Sequence, residues 1–477
     1  MSLYLGVDLG TSSAKATLAD GEGQVRFSLK RGASLLSPRE GFFEVDAEKV
    51  WWGNFLSICE ELFSGRAAPS PRAVCVSSVC GSFVPVDRDF RPLHNAVLYG
   101  IDRRSEAIVA ELNARYGEAF LRERLGGAFS THSVLPKILW FKRNRPDVYA
   151  RTAYFVSSGN FVSARLTGAA SWDVPTAYGA LMLDETTESA PLWFFEDQGL
   201  DAEKIPSLGP ATEPLGIVTE RAAAETGIAP GTVVMRGACD VNAEAMAAGA
   251  VLPGSALAVF GSTVSLLFNT KEPRRLDGFM AGRSLFPGVW RIGAATASGG
   301  LTVDWSRSLS AEGSVPPGPT GIYFIPYLNG ARTPFNAPDA RGAFLGLRAS
   351  HTGKDMAAAV WESLGYELAA LIAKIEEVEP FPSVLEVSGG LSNVPELMQL
   401  LADVTGRALR LHIGVDASYG DALLAMTADA PYAARPEART FPLVRPGERS
   451  TLYRGHAENY RQLSEIVARL GFSDEKS

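Results

Sequence analysis

The feature that most constrains this chain is a pattern that it spells twice. Leu3 to Asp8 is a short apolar run, Gly10-Thr11-Ser12-Ser13 interrupts it, and Ala14 to Ala19 alternates small and apolar residues. The segment reads as a strand, a hydroxyl-rich glycine turn and a second strand. Ala256 to Phe260, Gly261-Ser262-Thr263 and Val264 to Asn269 repeat that order. A pattern opening each half of a chain implies duplication, and 477 residues exceed what one hydrophobic core usually supports. Two similar domains are therefore expected, facing each other across a cleft. The helix-compatible stretch VNAEAMAAGAV ends in the turn Leu252-Pro253-Gly254, and this divides the chain into domains at 1–245 and 246–477.

The first half continues with a third strand over Val25 to Leu29, after the DGEGQ turn. Asp46 then caps a helix whose Trp51, Phe55, Ile58 and Leu62 fall at helical spacing, and a strand returns at Ala73 to Val79. Hairpin, third strand, helix and strand is the opening order of the ribonuclease-H-like half-domain used by actin and hexokinases. The expected fold class is α/β, with two such actin-like ATPase domains. In the second half, Val384 to Val387 reads as a buried strand, Ser388 to Asn393 as a tight glycine loop, and Pro395 to Thr405 as a helix. That helix carries an apolar stripe of Leu397, Leu400, Leu401 and Val404, with Gly406 as its C-cap. A strand, glycine loop and helix can hold a nucleotide.

Composition narrows the function classes. A formal net charge of -8 argues against a polyanionic partner, so nucleic acid is not expected. The four cysteines form no CxxC pair and the five histidines lack metal-ligand spacing, which implies a reduced, cytoplasmic chain. The N-terminus runs into LYLGVDLG without a basic leader. With no uncharged run of ~18 apolar residues, neither export nor a membrane partner is expected.

Asp8-Leu9-Gly10-Thr11-Ser12-Ser13-Ala14-Lys15 has the parts of a phosphate loop. Gly10 lets backbone N–H groups approach an oxyanion, Thr11 and Ser12 donate hydroxyls, Lys15 supplies charge, and Asp8 can hold magnesium through water. For a hairpin seen in isolation, a plain turn with a solvated lysine explains the same residues.

The segment DLGTSSAK resembles the first phosphate motif, DxGTxxxK, of the FGGY family of carbohydrate kinases. Further segments follow in that family's order. LYGIDRR at 98–104 resembles its sugar-contacting segment, LPKILWFKRNRPDVY at 135–149 the helix after it, and RLTGAASWD at 165–173 another family segment. GACDVNAEAMAAGAV at 237–251 resembles the catalytic-aspartate segment, and IPYLNGARTPFNAPDARGAFLGL at 325–347 the second-domain signature. SGGLSNVPELMQLLADVTG at 388–406 and ASYGDALLA at 417–425 resemble the adenosine-site loop and the helix closing the domain. The resemblance spans nearly the whole chain.

It implies an ATP-dependent kinase that uses Mg2+ and a small sugar or polyol, with a homodimer as one assembly it admits. Asp240 would be the base that accepts a proton from the attacking sugar hydroxyl; the plainer role of that carboxylate is a helix cap. Asp102 and Arg104 stand where the family contacts sugar hydroxyls, although a surface ion pair would also suit an Asp-Arg-Arg run. Gly261, Ser262 and Thr263 would clamp phosphates with the hydroxyl order reversed from the usual Gly-Thr-Ser, Gly389 and Gly390 would admit the adenosine, and Asn393 would contact it. Ala297-Ser298-Gly299-Gly300 is a further candidate nucleotide turn.

The sharpest departure is Ser77-Ser-Val-Cys-Gly-Ser-Phe83, where many members carry a sugar-touching Gln-Met-His-Gly segment and this chain keeps only Gly81. With Ser78 and Cys80 in place of larger polar groups, the pocket should be roomier. A ketopentose such as xylulose or a related polyol is the implied acceptor, and a sugar acid or four-carbon polyol competes with it. A sugar or nucleotide sensor without turnover and a filament-forming or chaperone-type ATPase are the readings from other classes.

Overall fold

A computed structural model describes residues 2–64, 68–310, 314–432 and 441–470. Its contacts divide the chain into two compact units. One holds Met1–Ala247, Gly282–Pro287 and Val415–Arg439; the other holds Ala248–Ala281, Gly288–Gly414 and Thr440–Ser477.

In the first unit the sequence LYLGVDL folds as a strand, Leu3–Leu9, with all seven residues buried. A strand covered on both faces has no polar side to alternate with, which is why this run is nearly continuous in apolar and small residues. It pairs antiparallel with Ser13–Asp20, which pairs antiparallel with Val25–Gly32. On its other side Ala73–Ser78 runs parallel to it, followed by Val233–Met235, again parallel, and Pro214–Ile217. Asp46 caps as expected, its carboxylate accepting from Lys49 N at 3.0 Å. The helix Gly53–Cys59 is flanked by π-helical turns at Ala47–Trp52 and Glu60–Ser64. Trp51, Phe55, Ile58 and Leu62 enter the core against Leu5, Val7, Val74 and Val76. A smaller four-stranded sheet, Glu44–Val45, Ala96–Val97, Phe83–Val86 and Tyr154–Ser157, shares a second core with the helices Glu106–Tyr116 and Val134–Asn144, built around Phe83, Phe141, Phe155 and Phe194.

The second unit repeats the scheme. Ala256–Phe260 and Val264–Thr270 form the hairpin, Trp290–Ala295 is the antiparallel third strand, and Val384–Ser388 and Ala408–Leu411 follow in parallel on the other side of Ala256–Phe260. In both units the hairpin is continued by an antiparallel strand on one side and by two parallel strands on the other, which bears out the duplication read from the two turns. The helix Gly353–Glu376 is long and apolar enough to cross a membrane by length and composition. Here it is a core helix, with Leu364, Leu368, Leu371, Ile372 and Ile375 packed in the second unit.

The grouping by contacts differs from the division read from sequence in one segment. The sequence reading kept residues 246–477 together, whereas Val415–Arg439 belongs with the first unit. The helix Ala417–Ala425 lies on the first hairpin and on the helix Asp240–Ala247. Ser418 Oγ and Thr17 Oγ are 2.8 Å apart, and a Cβ on Gly420 would fall 1.7 Å from the carbonyl oxygen of Ala243. The backbones touch so closely that only glycine fits between them. Gly420→Ala is expected to lower stability by at least about 1–3 kcal/mol, the cost of overpacking a tight contact, measured by urea unfolding.

Candidate active site

The first unit sets one row of side chains across three neighbouring strands, because Asp8 is the Cα partner of Lys15 on one side and of Ser77 on the other. Ser77 Oγ donates to Asp421 Oδ2 at 2.6 Å and approaches Asp8 Oδ1 at 3.4 Å, while Ser77 N donates to Asp421 Oδ2 at 3.2 Å. Lys15 Nζ pairs with Asp416 Oδ2 at 3.1 Å, and Asp416 caps the helix Ala417–Ala425 by accepting from Ser418 N and Ser418 Oγ. The turn from Gly10 to Ser12 follows Asp8, half-buried at Gly10 and Thr11 and exposed at Ser12. Asp8, the glycine turn and Lys15 therefore share one end of the hairpin.

Asp240 opens the helix Asp240–Ala247 and accepts from Val241 N at 2.8 Å. The N–H of Cys80 also bonds its carboxylate, so the segment that departs from the family pattern lies directly against this aspartate. Burial raises Asp240 to about 6, with Glu244 adding to the shift and the two N–H groups opposing it. Burial raises Asp8 to about 7, helped by the charges of Asp240 and Asp416 and opposed by Lys15. Asp421, fully buried, is pushed well above the ordinary carboxylate range by burial and by Asp8. Carboxyl groups thus outnumber cations in this corner.

Among the described residues no group of three or more His, Cys, Asp or Glu could hold a metal ion. Magnesium does not need one, since it is commonly held by one or two carboxylates with waters and substrate phosphates completing its shell. Asp8 fits that demand, next to the glycine turn and raised by like charges that a divalent cation would offset.

The other expected sugar contacts sit differently. Asp102 and Arg104 were expected to reach hydroxyls, but both are turned inward, each side chain 0% exposed. Asp102 accepts from Phe43 N and Arg104 N, and from Arg104 Nε and Nη2, both at 2.9 Å. Arg104 Nη2 also reaches Glu44 at 2.7 Å, and its guanidinium lies 4.5 Å from the Phe42 ring and 4.9 Å from the Trp140 ring. The pair is a buried brace, and its hydrogen bonds leave no room for a ligand on Asp102. Arg103 is the surface residue, paired with Glu106. Ser78 is buried and bonds Ser158 Oγ, while Gly81 turns beneath the carbonyl of His132.

In the second unit three glycine segments converge. A Cβ on Gly389 would meet Phe260 O at 2.4 Å, immediately before Gly261, and Gly300 N donates to Gly261 O at 2.9 Å. Gly261-Ser262-Thr263, Gly299-Gly300 and Gly389-Gly390 therefore share one end of the second sheet. Ser262 and Gly390 are exposed there, as is Asn393, whose amide donates to Gly390 O. Ser298 Oγ bonds the buried Glu367, which anchors the Gly299 turn. Sequence reasoning missed Ser77, Asp416 and Asp421 in the first unit. Asp421 was visible as the one acid inside ASYGDALLA, but the sequence did not show that its segment packs against the first hairpin.

Residues 3–247 match the N-terminal domain, and residues 256–428 the C-terminal domain, of the FGGY family of carbohydrate kinases. The chain belongs to this family. It is accordingly a phosphotransferase with an alcohol group as acceptor. It is 26% identical over 446 residues to a xylulose kinase of Escherichia coli (strain K12), covering 90% of each chain. It is 26% identical over 448 residues to a xylulose kinase of Bacillus subtilis (strain 168), covering 89% of this chain and 88% of that one. The solved xylulose kinase of Rhodospirillum rubrum superposes with a TM-score of 0.87 at 25% identity, over 98% of this chain and 99% of that one.

Asp102→Ala is expected to cost about 3–5 kcal/mol in urea unfolding, because it leaves the Arg104 charge buried beside fewer partners. Asp8 makes the opposite prediction. Its folded value of about 7 lies above the unfolded one, so the stability it contributes is full at acid pH and is lost as pH rises towards 7. Asp8→Asn should therefore gain stability over the parent, and the gain should be larger at about pH 8 than at about pH 5.

Proposed function

We propose that the chain transfers the γ-phosphoryl group of ATP to a hydroxyl of a small neutral sugar, a ketopentose such as xylulose or a related polyol, with Asp240 as general base. The observation that carries this reading is the placement of Asp240: half-buried, at a helix start, and bonded to the N–H of Cys80 in the acceptor segment. Above its value of about 6 the carboxylate is ionised and can take the hydroxyl proton. The sugar oxygen attacks the γ-phosphorus in line, forming the new P–O bond as the bond to the departing ADP breaks.

In this reading the amides of Gly10 to Ser12, their hydroxyls and Lys15 hold phosphate oxygens. Gly261, Ser262 and Thr263 likewise hold phosphate oxygens, while Gly389 and Gly390 admit the adenosine and Asn393 contacts it. Asp8 would hold magnesium, which when bound neutralises phosphate charge and orients the transferring group. Lys15 is tethered to Asp416 at 3.1 Å, so its ammonium is already aimed at the turn end of the hairpin. A cytoplasmic location accords with the use of ATP and with four free thiols.

Charge supports a neutral acceptor over a sugar acid. The arginine that would pair with a substrate carboxylate, Arg104, is taken up by Asp102 and Glu44. What surrounds Asp240 is further carboxylate, from Asp8 and Glu244. The relatives named xylulose kinases support a ketopentose in particular.

The test is ADP release from Mg-ATP across ketopentoses, polyols and sugar acids. Asp240→Asn should lower kcat by about 10^3, within the range for removing a general base. In the parent, kcat/KM for the sugar should fall as pH drops below about 6, where Asp240 gains its proton. Sugar binding without turnover by the parent would instead favour a sensor.

A further inference from the structure

The segment 77–83 brings small side chains to the acceptor region, and a different part of the chain stands beside it. A Cβ on Gly100 would fall 2.3 Å from His132 Nε2 and 2.5 Å from His132 Cδ2. Gly100 is not in the left-handed region, so its glycine serves space: the His132 imidazole occupies the volume that any side chain at 100 would fill. The same residue supports Gly81, whose Cβ would be 2.9 Å from His132 O. His132 thereby lies against both the 77–83 and the 98–104 segments, while its own side chain stays exposed.

Tyr99 completes the wall. Its ring lies 6.0 Å from the His132 ring, and its Cβ is 3.8 Å from the Cβ position of Gly81. The backbone of Tyr99 is fixed at both ends: its N–H donates to Ser82 Oγ at 3.1 Å, and its carbonyl accepts from the buried Lys137 Nζ at 2.9 Å. Its hydroxyl, by contrast, has no hydrogen-bond partner among the described residues. The ring is half-buried, and burial together with the Asp240 charge holds the phenol proton on. Asp240 is bonded to the N–H of Cys80, the neighbour of Gly81, which in turn packs against Tyr99.

We propose that His132 and Tyr99 are the specificity-determining pair of the acceptor site, with the imidazole and the phenol hydrogen-bonding hydroxyls of a neutral polyhydroxy acceptor whose reacting hydroxyl lies at Asp240. This rests on the kinase reading and names the residues that replace what segment 77–83 lacks. A backbone-pinned phenol and an imidazole set on a glycine are rigid polar groups, the kind that discriminate hydroxyl patterns most strongly, because a wrong pattern leaves them unpaired.

The experiment compares the full-length parent with His132→Ala, His132→Gln and Tyr99→Phe over the same acceptor panel, with acceptor binding followed by calorimetry without nucleotide. The expected result is a rise of about tenfold in acceptor KM, a matching loss of binding and a reordered acceptor preference, the scale of one lost discriminating contact. The KM for ATP should stay unchanged, and His132→Gln, which keeps a donor, should recover part of the loss. If His132→Ala and Tyr99→Phe keep acceptor KM and preference within about twofold of the parent, the pair does not set specificity. That result leaves the kinase reading intact, because Asp240→Asn tests it separately. An equal rise in the KM for ATP would make the residues structural and overturn the proposal, and a parent without sugar-dependent turnover would overturn both readings.

Discussion

The contact on which the first unit depends is the seating of the helix Ala417–Ala425 against the helix Asp240–Ala247, with Gly420 at the point where the two backbones meet. It stitches together three stretches far apart in sequence: the first hairpin, the helix that starts at Asp240, and a segment that returns more than a hundred residues after the unit seemed complete. Each brings a carboxylate. Asp8 ends the first strand, Asp240 begins its helix, and Asp416 and Asp421 arrive with the returning segment. A larger residue at position 420 would push that segment away and take Asp421 from beneath Ser77 and Asp416 from Lys15.

The carboxylates are costly to place. Desolvation favours their neutral forms, and the sheet offers them one lysine, a serine and a few backbone N–H groups. Such an arrangement stores no stability; its use is in binding something positively charged or in accepting a proton. In the proposed reading Asp240 and Asp8 divide those tasks by environment. The first is steadied by two backbone N–H groups and comes to about 6, ionised at neutral pH. The second, next to Asp240 and Asp416, comes to about 7 and is the better partner for a cation. Asp421 is shielded from solvent and holds Ser77, and through it the end of the strand.

Much of this was legible in the sequence, and the part that was not has a common physical cause. Strands such as Leu3–Leu9 and Ala256–Phe260 were readable because burial and turn chemistry are local properties of a short segment. The stripe of Trp51, Phe55, Ile58 and Leu62 was readable because helical periodicity is local too. The inward placement of Asp102 and Arg104 was not legible, because an Asp-Arg-Arg run has the same letters whether the arginine points to a ligand or is clasped by Phe42, Trp140 and Glu44, residues up to sixty positions away. The return of Ala417–Ala425 to the first unit was invisible for the same reason: ASYGDALLA states that a helix is small-sided, not which surface it was made small for. Gly100 was passed over because a glycine without a turn signal gives no hint that it makes room for a ring from position 132.

These corrections change what the fold says about the acceptor. If Arg104 faced the ligand, an anionic sugar would have had a natural partner, and the reversed charge balance around Asp240 would be hard to explain. With Arg104 clasped in the smaller sheet, its role is to hold the 98–104 segment in place. Lys137 does the same from the other side by bonding the carbonyls of Leu98 and Tyr99. The Arg104 guanidinium and the Lys137 amine, which burial lowers to about 7, are therefore committed to internal carboxylates and to backbone carbonyls, and neither is offered to a substrate. A segment pinned this firmly presents its side chains at fixed positions, which is what discrimination between neutral hydroxyl patterns requires, since such acceptors carry no charge to be found by and must be recognised by geometry.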